Sequence, residues 1–164
     1  MQISAFNEYY DKFTTVEKKN SPKELFYNGD FSLLENGRRV AVVGSRKVSE
    51  FGVRRARKIV KLLVQNDITV VSGLAEGVDS IAHKTAIEFD GHTIGVIGTP
   101  LNKYFPAENK DLQDFIAENH LLITQFPENY PVTLKSFPIR NRTMALISDA
   151  TIIIDASEKS GTKH

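Results

Sequence analysis

The chain has 164 residues, 41% hydrophobic and 25% charged, with a formal net charge of +1, which fits one compact domain with a real core and excludes a disordered or fibrous chain. So even a balance also excludes a protein that coats nucleic acid over its whole surface, and the lack of cysteine excludes a disulfide scaffold, a thiolate metal site and a cysteine nucleophile. No apolar stretch approaches the ~18 residues of a membrane span, and residues 1–20 lack the apolar block of a secretory signal, so the sequence reads as cytoplasmic with no membrane partner.

Ile3, Phe6, Tyr10 and Phe13 fall at helical spacing and predict a short helix over 3–13, docked by its aromatic face. Ser21-Pro22 breaks the chain, Leu25-Phe26-Tyr27 reads as a short extended piece, and Asn28-Gly29-Asp30 as a turn. Residues 1–36 are therefore expected to be a lead-in packed on a main domain over 37–164. Val40 to Val43 predicts a strand ending at Gly44. Ala56, Ile59, Val60 and Leu63 then line one face of a helix whose other face carries Arg54, Arg57, Lys58 and Lys61. Further strands are expected at 68–71, 93–97, 121–124 and 151–154, with helices at 77–89, 109–118 and 140–148 and a proline-containing loop over 127–138. The chain closes on a glycine loop, Ser160-Gly161-Thr162, whose following helix is missing, which reads as a truncated domain. Strands alternating with helices imply right-handed crossovers, hence an α/β, Rossmann-like, doubly wound and mostly parallel sheet with helices on both faces.

Ligands in such sheets sit beyond the carboxyl ends of the strands. Here those ends are Gly44-Ser45-Arg46, Ser72-Gly73-Leu74, Gly98-Thr99-Pro100 and Asp155-Ala156-Ser157. Gly44 lets backbone approach a ligand, Ser45 offers a hydroxyl, Arg46 supplies a forked cation, and the helix start offers free N–H groups. Residues 37–61 carry nine arginines and lysines against Glu50 alone, which points to an anionic ligand. The charges on the outer helix face read as solvated groups that steer and do not specify. Asp79 and His83, four apart on one helix, can meet; the preferred role for Asp79 is complementing the helix dipole, not catalysis. Phe105 and Phe137 read as packing, and Tyr104 is open to either packing or base stacking.

Five motifs in this order resemble one family: Val42-Val43-Gly44-Ser45-Arg46; Val71-Ser72-Gly73-Leu74-Ala75-Glu76-Gly77-Val78-Asp79; Phe105-Pro106-Ala107-Glu108-Asn109; Phe137-Pro138-Ile139-Arg140-Asn141-Arg142; and Ser160-Gly161-Thr162. It is the DNA-processing protein A (DprA/Smf) family. The resemblance implies a non-enzymatic, cofactor-free protein that binds single-stranded DNA at the strand ends, dimerises when complete, and helps load a RecA-type recombinase in transformation or recombination. It implies phosphate contacts from Arg46, Arg140 and Arg142, in a binding set with Gly44, Ser45, Ser72, Gly73, Gly98, Thr99, Asn141, Ser160, Gly161 and Thr162. Glu76 stands where the family frequently carries a lysine or arginine, and is expected to pair with a pocket arginine and lower the local potential. Two alternatives stay open. One is a sensor for a nucleotide-derived molecule, with Glu76 accepting ribose hydroxyls. The other is a nucleotide N-glycoside hydrolase like the LOG proteins, whose Pro-Gly-Gly-x-Gly-Thr loop Lys159-Ser160-Gly161-Thr162 does not match.

Overall fold

The structure, a computed structural model, describes residues 2–4 and 14–155. Seven strands form one sheet in the order β1-β2-β6-β5-β4-β3-β7. The strands are β1 (Gln2–Ser4), β2 (Leu25–Gly29), β3 (Arg38–Gly44), β4 (Ile68–Ser72), β5 (Thr93–Val96), β6 (Leu121–Thr124) and β7 (Ala150–Ile154). From β6 to β7 every pairing is parallel, while β1 and β2 run antiparallel at the other edge. The expected α/β, Rossmann-like class is what the chain adopts.

Burial explains why the central strands are legible as apolar runs. Every residue of β5 and β6 is buried, as parallel strands covered on both faces require. Side chains alternate, so Val42, Val70 and Ile154 enter the core under α3 (Glu50–Gln65) and α4 (Val78–Glu88), while Ala41, Val71 and Ile94 face Met144 and Ile147 of α6 (Ser136–Ile147). Beside the first of these cores, α5 (Lys110–Asn119) packs Ile116 on Leu122 and Phe26. Two short helices, α1 (Thr15–Asn20) and α2 (Ser32–Glu35), and one 3-10 turn at Ala107–Asn109 complete the described elements.

Three expectations need correction. Ile3 lies in β1, paired with Phe26 of β2, and not in a helix; residues 5–13 lie outside the described residues. Leu25-Phe26-Tyr27 is extended as expected, but the strand runs on through Asn28 and Gly29, where a turn was expected, and joins the sheet at β6. The loop after β6 ends at Lys135 because α6 starts at Ser136, four residues before Arg140; Pro138 falls in the first turn, where its missing N–H breaks no helical bond. The predicted Ser160-Gly161-Thr162 loop also lies outside the described residues.

Candidate functional site

The carboxyl ends of the parallel strands bring the first four motifs to one edge, where Arg46, Gly73, Ala75, Glu76, Phe105, Pro106, Phe137 and Arg140 line a single cleft. Gly77 welds the first two loops. It has φ +77°, its missing side chain lets the Ser45 carbonyl approach, and that carbonyl accepts from the N–H of Val78, the first residue of α4, at 3.1 Å. The third motif clamps the second, because the Asn109 side chain donates to the Leu74 carbonyl and to Ser80 Oγ, each at 2.8 Å.

Arg140 forms the floor. Only 6% exposed, it reaches from α6 to the strand ends, where Nη1 donates to the carbonyls of Gly73 at 2.6 Å and Val96 at 3.1 Å, and Nε donates to Asn141 Oδ1 at 2.9 Å. Its Nη2 has no hydrogen-bond partner among the described residues. Behind Gly73 sits Asp79, 4% exposed, accepting the Gly73 N–H at 3.1 Å. A Cβ on residue 73 would stand 2.7 Å from Arg140 Nη1 and 2.8 Å from Asp79 Oδ2, so only glycine fits between the two charges. Burial pushes the Asp79 carboxyl above its usual range against the pull of Arg140. Burial likewise lowers the Arg140 guanidinium, with Asp79 opposing and Arg46 adding repulsion. This cation can satisfy strand ends and still point one nitrogen of its fork at an anion.

The remaining expected residues divide sharply. Arg46 is exposed on the cleft with no ion pair among the described residues, and Glu76 is exposed on the same cleft. The expected pairing of Glu76 with a pocket arginine is absent, since the ion pairs among the described residues are Arg57–Glu88 and Lys110–Asp114. Arg142 is exposed on α6 away from the cleft lining, and Asn141 serves Arg140. Ser45 is spent on the fold: its N–H donates to Ile154 O, and its hydroxyl bonds both N–H and C=O of Lys47. Ser72 Oγ donates to Val42 O at 2.6 Å, and Thr99 turns its hydroxyl to the carbonyls of Pro100 and Lys103. Gly98 leaves room for the Phe137 ring, and Gly44 for the β7 backbone. These residues shape the edge without lining the cleft.

The aromatic residues reverse part of the expectation. Phe105 is 54% exposed on the cleft lip, its ring 5.1 Å from that of Phe137, so it is not a buried plug. Tyr104 is engaged instead, donating to Asp114 Oδ1 at 2.6 Å. Asp79 and His83 do not meet: His83 is fully buried against Thr93 Oγ1 at 2.7 Å, and burial drops its pKa to about 3, leaving a neutral ring without acid–base work. Among the described residues no cluster of three or more His, Asp or Glu is placed to hold a metal.

Sequence reasoning also missed Asp155. Ser49 caps α3 by accepting the Gly52 N–H at 3.0 Å, and its own N–H and hydroxyl donate to Asp155 Oδ2 at 2.8 and 2.6 Å. The hydroxyl and N–H of Ser49 hold the carboxyl below its usual range. The start of α3, where a phosphate was expected, already carries the chain's own anion.

Fold and cleft define an α/β protein with an arginine-floored groove at the strand ends and aromatic rings on its lip. Residues 2–164 match the family model described as DNA recombination-mediator protein A, and the chain belongs to that family. It is 40% identical over 144 residues to DNA processing protein DprA of Streptococcus pneumoniae, covering 87% of this chain and 50% of that one. To protein Smf of Escherichia coli it is 32% identical over 161 residues, covering 98% and 42%. The chain thus spans about half the length of the curated relatives it matches. Its structure superposes on that of the Streptococcus pneumoniae protein with a TM-score of 0.86 at 34% identity, covering 98% of this chain and 56% of the other. With DNA processing protein A of Helicobacter pylori, whose structure was described for its single-stranded DNA binding mode, the TM-score is 0.78 at 33% identity, covering 86% and 64%.

Proposed function

We propose that this chain is the single-strand-binding domain of a DNA-processing protein of the DprA/Smf type, acting without catalysis in transformation or recombination and presenting the strand to a RecA-type recombinase. In the complete protein it works as a cytoplasmic homodimer. The observation that carries this reading is the placing together of exposed Arg46 and Arg140 Nη2 on the cleft, neither with an acid or hydrogen-bond partner among the described residues. Two cations reached through an open groove, with Phe105 and Phe137 at its lip, suit a flexible phosphodiester and splayed bases better than a stiff duplex. The relatives' names support the same assignment.

The test is a titration of labelled single-stranded oligonucleotide against duplex of the same length over a range of salt. Single strands bind more tightly, with affinity falling by about 0.7 log units per log unit of salt for each phosphate neutralised. Arg46→Ala lowers affinity by about 1.5–3 kcal/mol, one charge-assisted bond, at unchanged melting temperature. Equal affinity for blunt duplex, or an Arg46→Ala protein that binds like the parent, refutes the reading.

A further inference from the structure

Helix α3 turns outward a stripe that the cleft does not use. Gly52, Ala56 and Val60 fix its buried face, which leaves Phe51, Arg54, Lys58 and Lys61 exposed on the opposite side, with Arg55 beside them. Arg57, on the flank toward α4, is neutralised by Glu88 at 2.9 Å. Arg54, Arg55 and Lys58 form no ion pair among the described residues, and Arg55 acts on Asp155 only through its charge. Like charges three and four apart on a helix repel. The stripe therefore weakens the helix that carries it, in a chain whose formal net charge is only +1.

Phe51 gives the stripe a second chemistry. Its ring is 64% exposed, with the Arg54 guanidinium 4.7 Å and that of Arg55 5.8 Å from its centroid. Solvation of a helix does not call for an aromatic ring at the surface flanked by two cations. A base can stack on such a ring while its phosphates meet the guanidinium groups. The stripe is also continuous with the cleft, because exposed Arg46 and Lys47 lie between the cleft and the Ser49 cap of α3. From there the 16 residues of α3 run roughly 24 Å at the helical rise.

We infer that the outer face of α3 is a second single-strand segment, taking the nucleic-acid backbone as it leaves the cleft at Arg46, with Phe51 as stacking platform and Arg54, Arg55 and Lys58 as phosphate contacts. This rests on the reading of the cleft as a single-strand site. A duplex would supply phosphates but no unstacked base for Phe51, and an acidic protein segment would match the charges without using the ring.

The experiment titrates the parent chain, Arg54→Ala/Arg55→Ala/Lys58→Ala, Phe51→Ala and Arg46→Ala with oligothymidylate of about 4 and about 16 nucleotides, and with duplex, over a range of salt. The substitutions are on an exposed helix face and put alanine where it favours helix, so melting temperatures hold. On the long strand the triple variant loses about 2 from its salt slope, three phosphates' worth. There Phe51→Ala lowers affinity roughly five- to a hundredfold at constant slope. The short strand is indifferent to both. An unchanged long-strand slope, an inert Phe51→Ala, or an equal loss on duplex overturns the inference. If Arg46→Ala leaves short-strand binding intact, the cleft reading fails and this inference with it; if Arg46→Ala weakens the short strand while the triple variant binds the long strand like the parent, only this inference fails.

Discussion

Removing the guanidinium of Arg140 tests the buried centre of the cleft. Arg140→Met keeps much of the apolar stem but strands the carbonyls of Gly73 and Val96, which now accept from Nη1. Each buried, unpartnered carbonyl costs about 1–3 kcal/mol, and Asp79 loses the cation that offsets its burial. Asp79 and Arg140 are not in ion-pair contact, so the lost charge adds only in part to the two stranded carbonyls, and effects that share one network do not add. The expected loss is therefore about 3–5 kcal/mol, or roughly 6–20 °C in melting temperature for a chain of this size. Equilibrium urea and thermal unfolding across pH measure it. Burial already raises the folded pKa of Asp79, and loss of Arg140 raises it further. A carboxyl with a raised folded pKa binds more protons when folded, so its contribution is present at low pH and is lost as pH rises through that pKa. The deficit of Arg140→Met relative to the parent thus narrows as pH falls from 7 toward the unfolded Asp value, and Asp79→Asn added to it restores part of the stability. A deficit that ignores pH, or a variant as stable as the parent, refutes the assignment of Arg140 as a buried structural cation.

The other predictions are narrower. Gly73→Ala forces a Cβ to within 2.8 Å of both Arg140 Nη1 and Asp79 Oδ2, so it destabilises by about 1–3 kcal/mol in chemical denaturation. Ser49→Ala removes the α3 cap and costs about 0.5–2 kcal/mol. Asp155 has a lowered folded pKa, so its contribution is present above the unfolded Asp value and fades as pH falls through the folded one; Asp155→Asn flattens that acid limb of a melting-temperature profile. Glu76→Lys leaves stability unchanged, because Glu76 is exposed and unpaired. It raises single-strand affinity and steepens the salt slope, since a repulsive charge on the cleft becomes attractive; in a nucleotide sensor the same change abolishes ribose binding without conferring DNA binding.

The sheet was legible because its central strands are buried on both faces and so read as unbroken apolar runs such as Leu121 to Ile123. Local periodicity misled at Ile3, since edge pairing with Phe26 is a long-range contact that no 3.6-residue spacing reports. Pro138 hid the start of α6, being read as a breaker when it stands in a first turn that tolerates it. Four of the motifs were correctly gathered at one edge, but their division of labour was not readable. Arg140 and Arg142 look equivalent in the sequence, yet a shift of two residues on a helix turns one into the core and leaves the other exposed. Exposure of Phe105 likewise depends on how its loop meets Phe137, a geometry set by the fold and not by the Phe-Pro pair itself.

The occupied helix starts favour the strand-binding reading over the mononucleotide one. Nucleotide-binding α/β proteins place a phosphate on the free N–H groups at the first helix. Here that position at α3 holds the Asp155 carboxylate, and the Val78 N–H at the start of α4 is taken by the Ser45 carbonyl. A mononucleotide would have to displace an internal anion that Ser49 already holds through two bonds. Among the described residues, the edge offers an anion guanidinium groups on side chains, Arg46 at the lip and Arg140 Nη2 on the floor. Such groups fix a phosphate less rigidly than a nest of backbone N–H groups, and so tolerate successive phosphates of a chain that passes through an open cleft. A polymer gains from that tolerance, because each added phosphate contributes through counterion release without a new fitted pocket; a small ligand depends on a rigid cradle, and at the starts of α3 and α4 the chain has filled that place with its own oxygen atoms.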